Sequence, residues 1–70
     1  MDEYLTWEHT YAIARALIRA HPDARLEDIS LHMIYAWTLA LPEFQDDPEL
    51  ANDAILASIY QEWFEEDNPV

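Results

Sequence analysis

The chain contains no cysteine, no glycine and no lysine, and three arginines are its only strongly basic side chains. The lack of cysteine excludes a disulfide framework, a thiolate metal site and a cysteine nucleophile. The lack of glycine excludes a glycine-rich phosphate loop and a nucleophile elbow. No apolar stretch approaches the roughly 20 residues of a membrane span, and the start lacks the basic, apolar layout of a signal peptide. We therefore expect a cytoplasmic protein that is not an enzyme and has no membrane segment.

Negative charge dominates what is present. Fifteen acidic residues against three arginines give a formal net charge of -12 at pH 7. Residues 1–42 hold six acids and all three arginines, whereas residues 43–70 hold nine acids and no base. Such a surface repels phosphates and anionic membranes, which excludes nucleic acid as a direct ligand. The natural partner is a basic protein or a cation.

The length of 70 residues suits one domain, and 51% hydrophobic residues are enough to bury a core despite the charge. We predict a single acidic helical domain over residues 1–70, present as a monomer. The fold class is mainly α, a small three-helix domain whose turns rely on proline and aspartate in place of glycine. One tryptophan is expected in the core from each helix: Trp7, Trp37 and Trp63.

Proline residues and capping residues delimit the first two helices. Helix 1 is predicted from an N-cap at Thr6 to just before Pro22. Helix 2 is predicted from a cap at Asp28 or Ser30 to just before Pro42. In the intervening loop, residues 26 and 29 are expected to enter the core, and a short strand there is left open.

Helix 3 has two predicted starts, either at Asp47 before Pro48 or, after a single turn, near Asn52. Acidic residues crowd its last turns, where the helix dipole is also negative. This end is either a frayed, solvated tail or a surface that binds a basic partner. Two arginines of helix 1, Arg15 and Arg19, are expected to form ion pairs with nearby acids.

Four carboxylates within seven residues form the candidate metal site: Glu43, Asp46, Asp47 and Glu49. Oxygen ligands suit hard ions such as magnesium, calcium, manganese or iron. The spacing is not that of an EF-hand, so an open, water-rich site with an affinity of roughly 0.1 to 1 mM is expected. The alternative is that these acids only cap helix 3 and keep the domain soluble.

The histidines give no second metal site. His9, His21 and His32 are separated by spacings that match no zinc signature. We expect them to be capping or partly exposed residues.

Several short motifs occur in order along the chain and together resemble the IscX family, small acidic proteins of bacterial iron-sulfur cluster assembly. The resemblance covers about residues 5–67. The sequence pieces that carry it are Thr6-Trp7, Ile13, Ala16-Leu17, Pro22-Asp23, Trp37, Phe44-Gln45-Asp46-Asp47-Pro48, Asn52-Asp53-Ala54-Ile55-Leu56 and Trp63-Phe64-Glu65-Glu66.

The resemblance implies a modified winged-helix-like fold, weak iron binding through exposed carboxylates, and docking on a cysteine desulfurase as an adaptor or regulator. Arg25-Leu26 stands where the family commonly has Asp-Pro. The departure places a positive charge in the loop between helices 1 and 2, close to Asp23. The acids at family-like positions, together with Glu62 from the crowded end of helix 3, form the predicted partner-binding set: Asp23, Asp46, Asp47, Asp53, Glu62, Glu65 and Glu66.

The leading hypothesis is an acidic adaptor or regulator of iron-sulfur cluster assembly that binds a basic patch on the desulfurase and holds iron weakly. The alternative is a DNA mimic, or another acidic interaction module, that binds a basic partner without metal. A third possibility is a structural subunit of a larger assembly, which predicts an exposed apolar patch and no sensitivity to salt.

Overall fold

Three α-helices and two single-turn 3-10 helices make up the fold in the computed structural model, which describes residues 4–67. The α-helices are α1 (Thr10–Ala20), α2 (Leu31–Ala40) and α3 (Asp53–Asp67). The 3-10 helices are Leu26–Asp28, between α1 and α2, and Pro48–Leu50, between α2 and α3. This confirms the predicted mainly α, three-helix class. The second of the two predicted starts of helix 3, near Asn52 after a single turn, is the one observed.

The predicted start of helix 1 at Thr6 is wrong, because α1 begins at Thr10 with His9 as its N-cap residue. Leu5 and Trp7 are instead held by distant parts of the chain. Leu5 forms an isolated parallel bridge with Phe44, in which the Leu5 N–H donates to the Glu43 carbonyl (2.8 Å) and the Leu5 carbonyl accepts from the Gln45 N–H (2.9 Å). These long-range hydrogen bonds hold Leu5 in the bridge, and a turn at Trp7 and Glu8, closed by a hydrogen bond from the His9 N–H to the Thr6 carbonyl (2.9 Å), follows where the local pattern favoured a helix.

Side-chain caps fix the starts of α2 and α3. The Ser30 hydroxyl accepts from the Met33 N–H (3.1 Å), and the Asn52 amide oxygen accepts from the Ile55 N–H (2.9 Å). Each cap satisfies a backbone donor that a helix start leaves unpaired. Of the two caps predicted for helix 2, Ser30 is confirmed.

The core lies where one face of each helix meets the loop segments. α3 packs mainly against α1 and to a lesser extent against α2. The buried apolar side chains are Trp7, Ile13, Ala14, Ala16, Leu17, Leu26, Ile29, Ile34, Leu41, Leu56, Ile59 and Trp63. Burial of this surface is the main favourable contribution to folding.

Two details of the predicted core are decided by these positions. Leu26 and Ile29 enter the core as predicted, through the first 3-10 helix and without a strand. Trp7 and Trp63 are buried, but Trp7 lies in the turn ahead of α1 and not on a helix, and Trp37 is only half-buried. Over residues 4–67 there is no β-strand beyond the single Leu5–Phe44 bridge. The winged-helix likeness stays a prediction.

Candidate functional site

The acidic loop that joins α2 to α3 has a defined conformation, because its carboxylates bind backbone groups of the chain. Asp46 accepts from two donors, through Oδ2 from the Trp7 N–H (3.0 Å) and through Oδ1 from the Asp47 N–H (2.7 Å). The Asp47 side chain accepts from the Glu49 N–H (2.9 Å) and so caps the second 3-10 helix. The Trp7 indole N–H donates to the Asp47 carbonyl (2.8 Å). The loop thereby fastens the N-terminal segment to the body of the domain.

The four predicted metal ligands do not gather around a common point. Across residues 4–67, no group of three histidine, aspartate or glutamate side chains is arranged to hold a metal ion. Asp46 and Asp47 already accept backbone hydrogen bonds, while Glu43 is half-buried and Glu49 is exposed. The geometry therefore fits at most a hydrated ion on one or two carboxylates. It also shows a capping role for Asp47, at the 3-10 helix that precedes α3.

The carboxylates of α3 are divided between its two ends. Asp53 is exposed in the first turn, where the positive end of the helix dipole favours an anion. Glu62 and Glu65 lie in the second half, and Glu65 accepts from the Gln61 side-chain amide (3.0 Å). No basic residue lies in the last turn. The C-terminal half of α3 thus presents concentrated negative charge, as predicted from the sequence.

Glu66 is the member of this group that α1 partly neutralises. Its Oε2 accepts from the Tyr11 hydroxyl (3.0 Å), and its Oε1 lies 3.7 Å from an Arg15 guanidinium nitrogen. Arg15 also donates to the Tyr11 hydroxyl (3.2 Å), and these contacts raise the pKa of Arg15. The ion pair expected for Arg15 is confirmed. The role of Tyr11 could not be foreseen, because 55 residues separate it from its partner.

Asp23 lies apart from the other predicted partner-binding residues, in the turn that follows α1. It is exposed and lines an open cleft together with His21 and Trp37, whose rings stack with centroids 3.9 Å apart. Arg25, the positive charge that departs from the family pattern, donates two hydrogen bonds to Glu27 (2.7 and 3.2 Å). This contact lowers the pKa of Glu27 and raises that of Arg25.

The three histidines lie at helix ends, and the His9 side chain forms no cap hydrogen bond to α1. His9 occupies the N-cap position of α1, and its Nδ1 accepts from the Thr6 N–H (3.1 Å). His21 ends the same helix, and His32 lies in the first turn of α2.

None of the helices found in residues 4–67 has the length and apolar character needed to cross a membrane.

Comparison with known proteins finds a matching family and similar proteins. Residues 5–68 match a protein family described as iron-sulphur cluster assembly. An uncharacterized protein of Pseudomonas aeruginosa is 31% identical over 62 residues, which cover 89% of this chain and 94% of the relative. The family match spans all three helices and the acidic loop.

Proposed function

Because the chain belongs to the IscX family of iron-sulfur cluster assembly proteins, we propose that it is an acidic adaptor or regulator that binds the cysteine desulfurase of that machinery. Participation in cluster assembly follows from the family. The proposal that the partner is the desulfurase rests on the family resemblance together with the distribution of charge. The family is of an accessory kind and not a known catalytic one, and we propose that this chain acts in the cytoplasm by binding and not by catalysis.

The one-sided charge is the observation that carries the proposal. Residues 43–70 contain nine acids and no base. On α3, Asp53 and Glu65 are exposed, Glu62 is half-buried, and no basic residue lies in the last turn. Concentrated negative charge of this kind accelerates association with a basic surface and selects against acidic partners. A basic patch on the desulfurase is the matching surface.

Salt dependence of binding tests this proposal. The dissociation constant for the desulfurase is expected to rise steeply between about 50 and 300 mM salt, since the Debye length shortens over that range. Isothermal titration calorimetry at several salt concentrations measures it, and the rate of cluster assembly is expected to change in the same mixtures. Absence of binding at low salt would exclude the proposed partner.

Weak iron binding is a second part of the proposal, with iron as a cargo and not a resident cofactor. The acidic loop offers oxygen ligands but no preformed cage, so the ion would keep most of its water. Glu43 and Glu49 are the carboxylates of this loop that the described hydrogen bonds leave available.

Substitution of these two residues tests the iron proposal without disturbing the loop. We expect Glu43→Gln with Glu49→Gln to weaken iron binding several-fold in an NMR titration, while the spectrum of the core stays unchanged. Glu3→Gln with Glu8→Gln removes the same charge elsewhere and is expected to leave iron binding nearly unaltered. Equal titration curves for both pairs of substitutions would exclude the loop as the iron site.

A further inference from the structure

An open cleft lies between the segment that follows α1 and the beginning of α2. Its volume is about 520 Å³. Ile29, Met33 and Trp37 provide an apolar lining, and Met33 and Trp37 share one face of α2 because they are four residues apart. Asp23 and Asp28 line the same cleft and are exposed to solvent. The cleft therefore combines apolar walls with carboxylates.

The walls of the cleft are held in place by contacts within the domain. The Met33 thioether accepts from the Ser30 N–H (3.5 Å), which belongs to the cap of α2. The Trp37 ring is stacked against His21, and its centroid lies 6.3 Å from that of Trp63 in the core. A ligand that enters the cleft meets a preformed surface, which lowers the entropic cost of binding.

The net charge of the cleft is negative. Arg25 also lines it, but the Arg25 guanidinium donates both of its hydrogen bonds to Glu27, whose charge balances it. The side-chain carboxylates of Asp23 and Asp28 form no hydrogen bond or ion pair within residues 4–67, although the Asp28 backbone N–H donates to the Arg25 carbonyl (2.8 Å). Two unpaired carboxylates beside an apolar lining attract a group that has both a positive charge and an apolar stem.

We propose that this cleft receives an arginine or lysine side chain of a protein partner. The methylene stem packs on Met33 and Trp37, and the cationic head binds Asp23 and Asp28, as long basic side chains bury their stems and keep their heads in polar surroundings. A bare metal ion gains nothing from apolar walls. The inference deepens the proposed function and rests on it, since it names the anchor for the basic surface of the desulfurase.

A small probe tests the cleft without the desulfurase. In an NMR titration of the full chain with N-acetyl-arginine amide, the Trp37 indole N–H and the Met33 methyl signals are expected to shift. N-acetyl-citrulline amide, which has a similar shape and no charge, is expected to leave them in place. Asp23→Asn with Asp28→Asn should abolish the response to the arginine probe. Equal shifts with both probes, or none at these two signals, would overturn the proposal.

Binding of the desulfurase by variants that lack a single charge distinguishes the contribution of the cleft from that of the wider acidic surface. We expect Asp23→Asn and Asp28→Asn each to weaken binding about tenfold, the effect of losing one charge-assisted hydrogen bond. Glu8→Gln removes one charge from the exposed turn ahead of α1 and should weaken binding much less. If the wild-type chain binds and all three variants lose the same affinity, the cleft is not the anchor although the proposed function stands. If the wild-type chain does not bind, the proposed function fails, and the arginine probe alone decides whether the cleft receives a basic side chain.

Discussion

Asp46 shows how one residue of an acidic cluster can serve the fold. Its two carboxylate oxygens accept from the backbone N–H groups of Trp7 and Asp47, which lie 39 residues and one residue away in sequence. The first of these hydrogen bonds anchors the segment that carries the buried Trp7 ring. From sequence spacing alone, Asp46 is a candidate metal ligand. The local sequence does not reveal that its carboxylate accepts a hydrogen bond from Trp7, 39 residues away.

Replacement of Asp46 is therefore expected to affect stability. Asp46→Ala leaves the partly buried Trp7 N–H without its acceptor, and we expect it to lower the free energy of unfolding by about 1 to 3 kcal/mol. Urea denaturation followed by tryptophan fluorescence measures the change. Glu49→Ala, in the exposed part of the same loop, is expected to change stability by less than about 0.5 kcal/mol. Equal stability of the two variants would show that the Asp46 hydrogen bonds contribute nothing net.

At the scale of elements, the helices that begin at a side-chain cap were the predictable ones. α2 and α3 follow their apolar stripes and begin at the side-chain caps Ser30 and Asn52, which a sequence pattern displays directly. The start of α1 was not predictable in this way. Thr6 and Glu8 resemble a helix start, but the contacts of Leu5 and Trp7 with the 43–47 loop prevent helix formation there.

The cap of α2 can be tested by a matched pair of substitutions. Ser30→Ala removes the acceptor for the Met33 N–H and is expected to destabilise the domain by about 1 kcal/mol. Ser58→Ala removes an exposed hydroxyl that donates to the Ala54 carbonyl within α3 (2.9 Å), and it should be neutral or slightly stabilising because alanine favours a helix. Thermal unfolding followed by circular dichroism compares the two. A smaller effect at Ser30 than at Ser58 would contradict the capping role.

The charge pattern of the last turns of α3 does not by itself decide their structure. Its acids predict either a frayed tail or a binding surface. The structure shows the helix continuing to Asp67, with Glu66 attached to Tyr11 and Arg15 of α1. Exposed pairs of this kind contribute little to stability. Their effect is to hold the end of α3 against α1 while Glu65 stays exposed and Glu62 half-buried.

At the scale of the whole molecule, the net charge of -12 is unbalanced and follows from composition alone. Two of the three arginines are used in pairs within the described residues, with Glu66 and with Glu27. The sequence therefore predicted the sign and the approximate location of the acidic surface. It did not predict which carboxylates are occupied by internal hydrogen bonds, because that depends on how the loops fold back on the helices.

The dissociation constant for the desulfurase, measured at low salt with charge-neutralised variants, tests most directly whether the acidic surface of α3 meets a basic partner. Glu62→Gln with Glu65→Gln preserves helix propensity and removes two surface charges. We expect this pair to weaken binding about tenfold and to flatten its salt dependence. Glu3→Gln with Glu8→Gln removes the same charge near the N-terminus and should have a much smaller effect. Unchanged binding of the α3 variant, or the same loss in both pairs, would contradict the assignment of α3 as the binding surface.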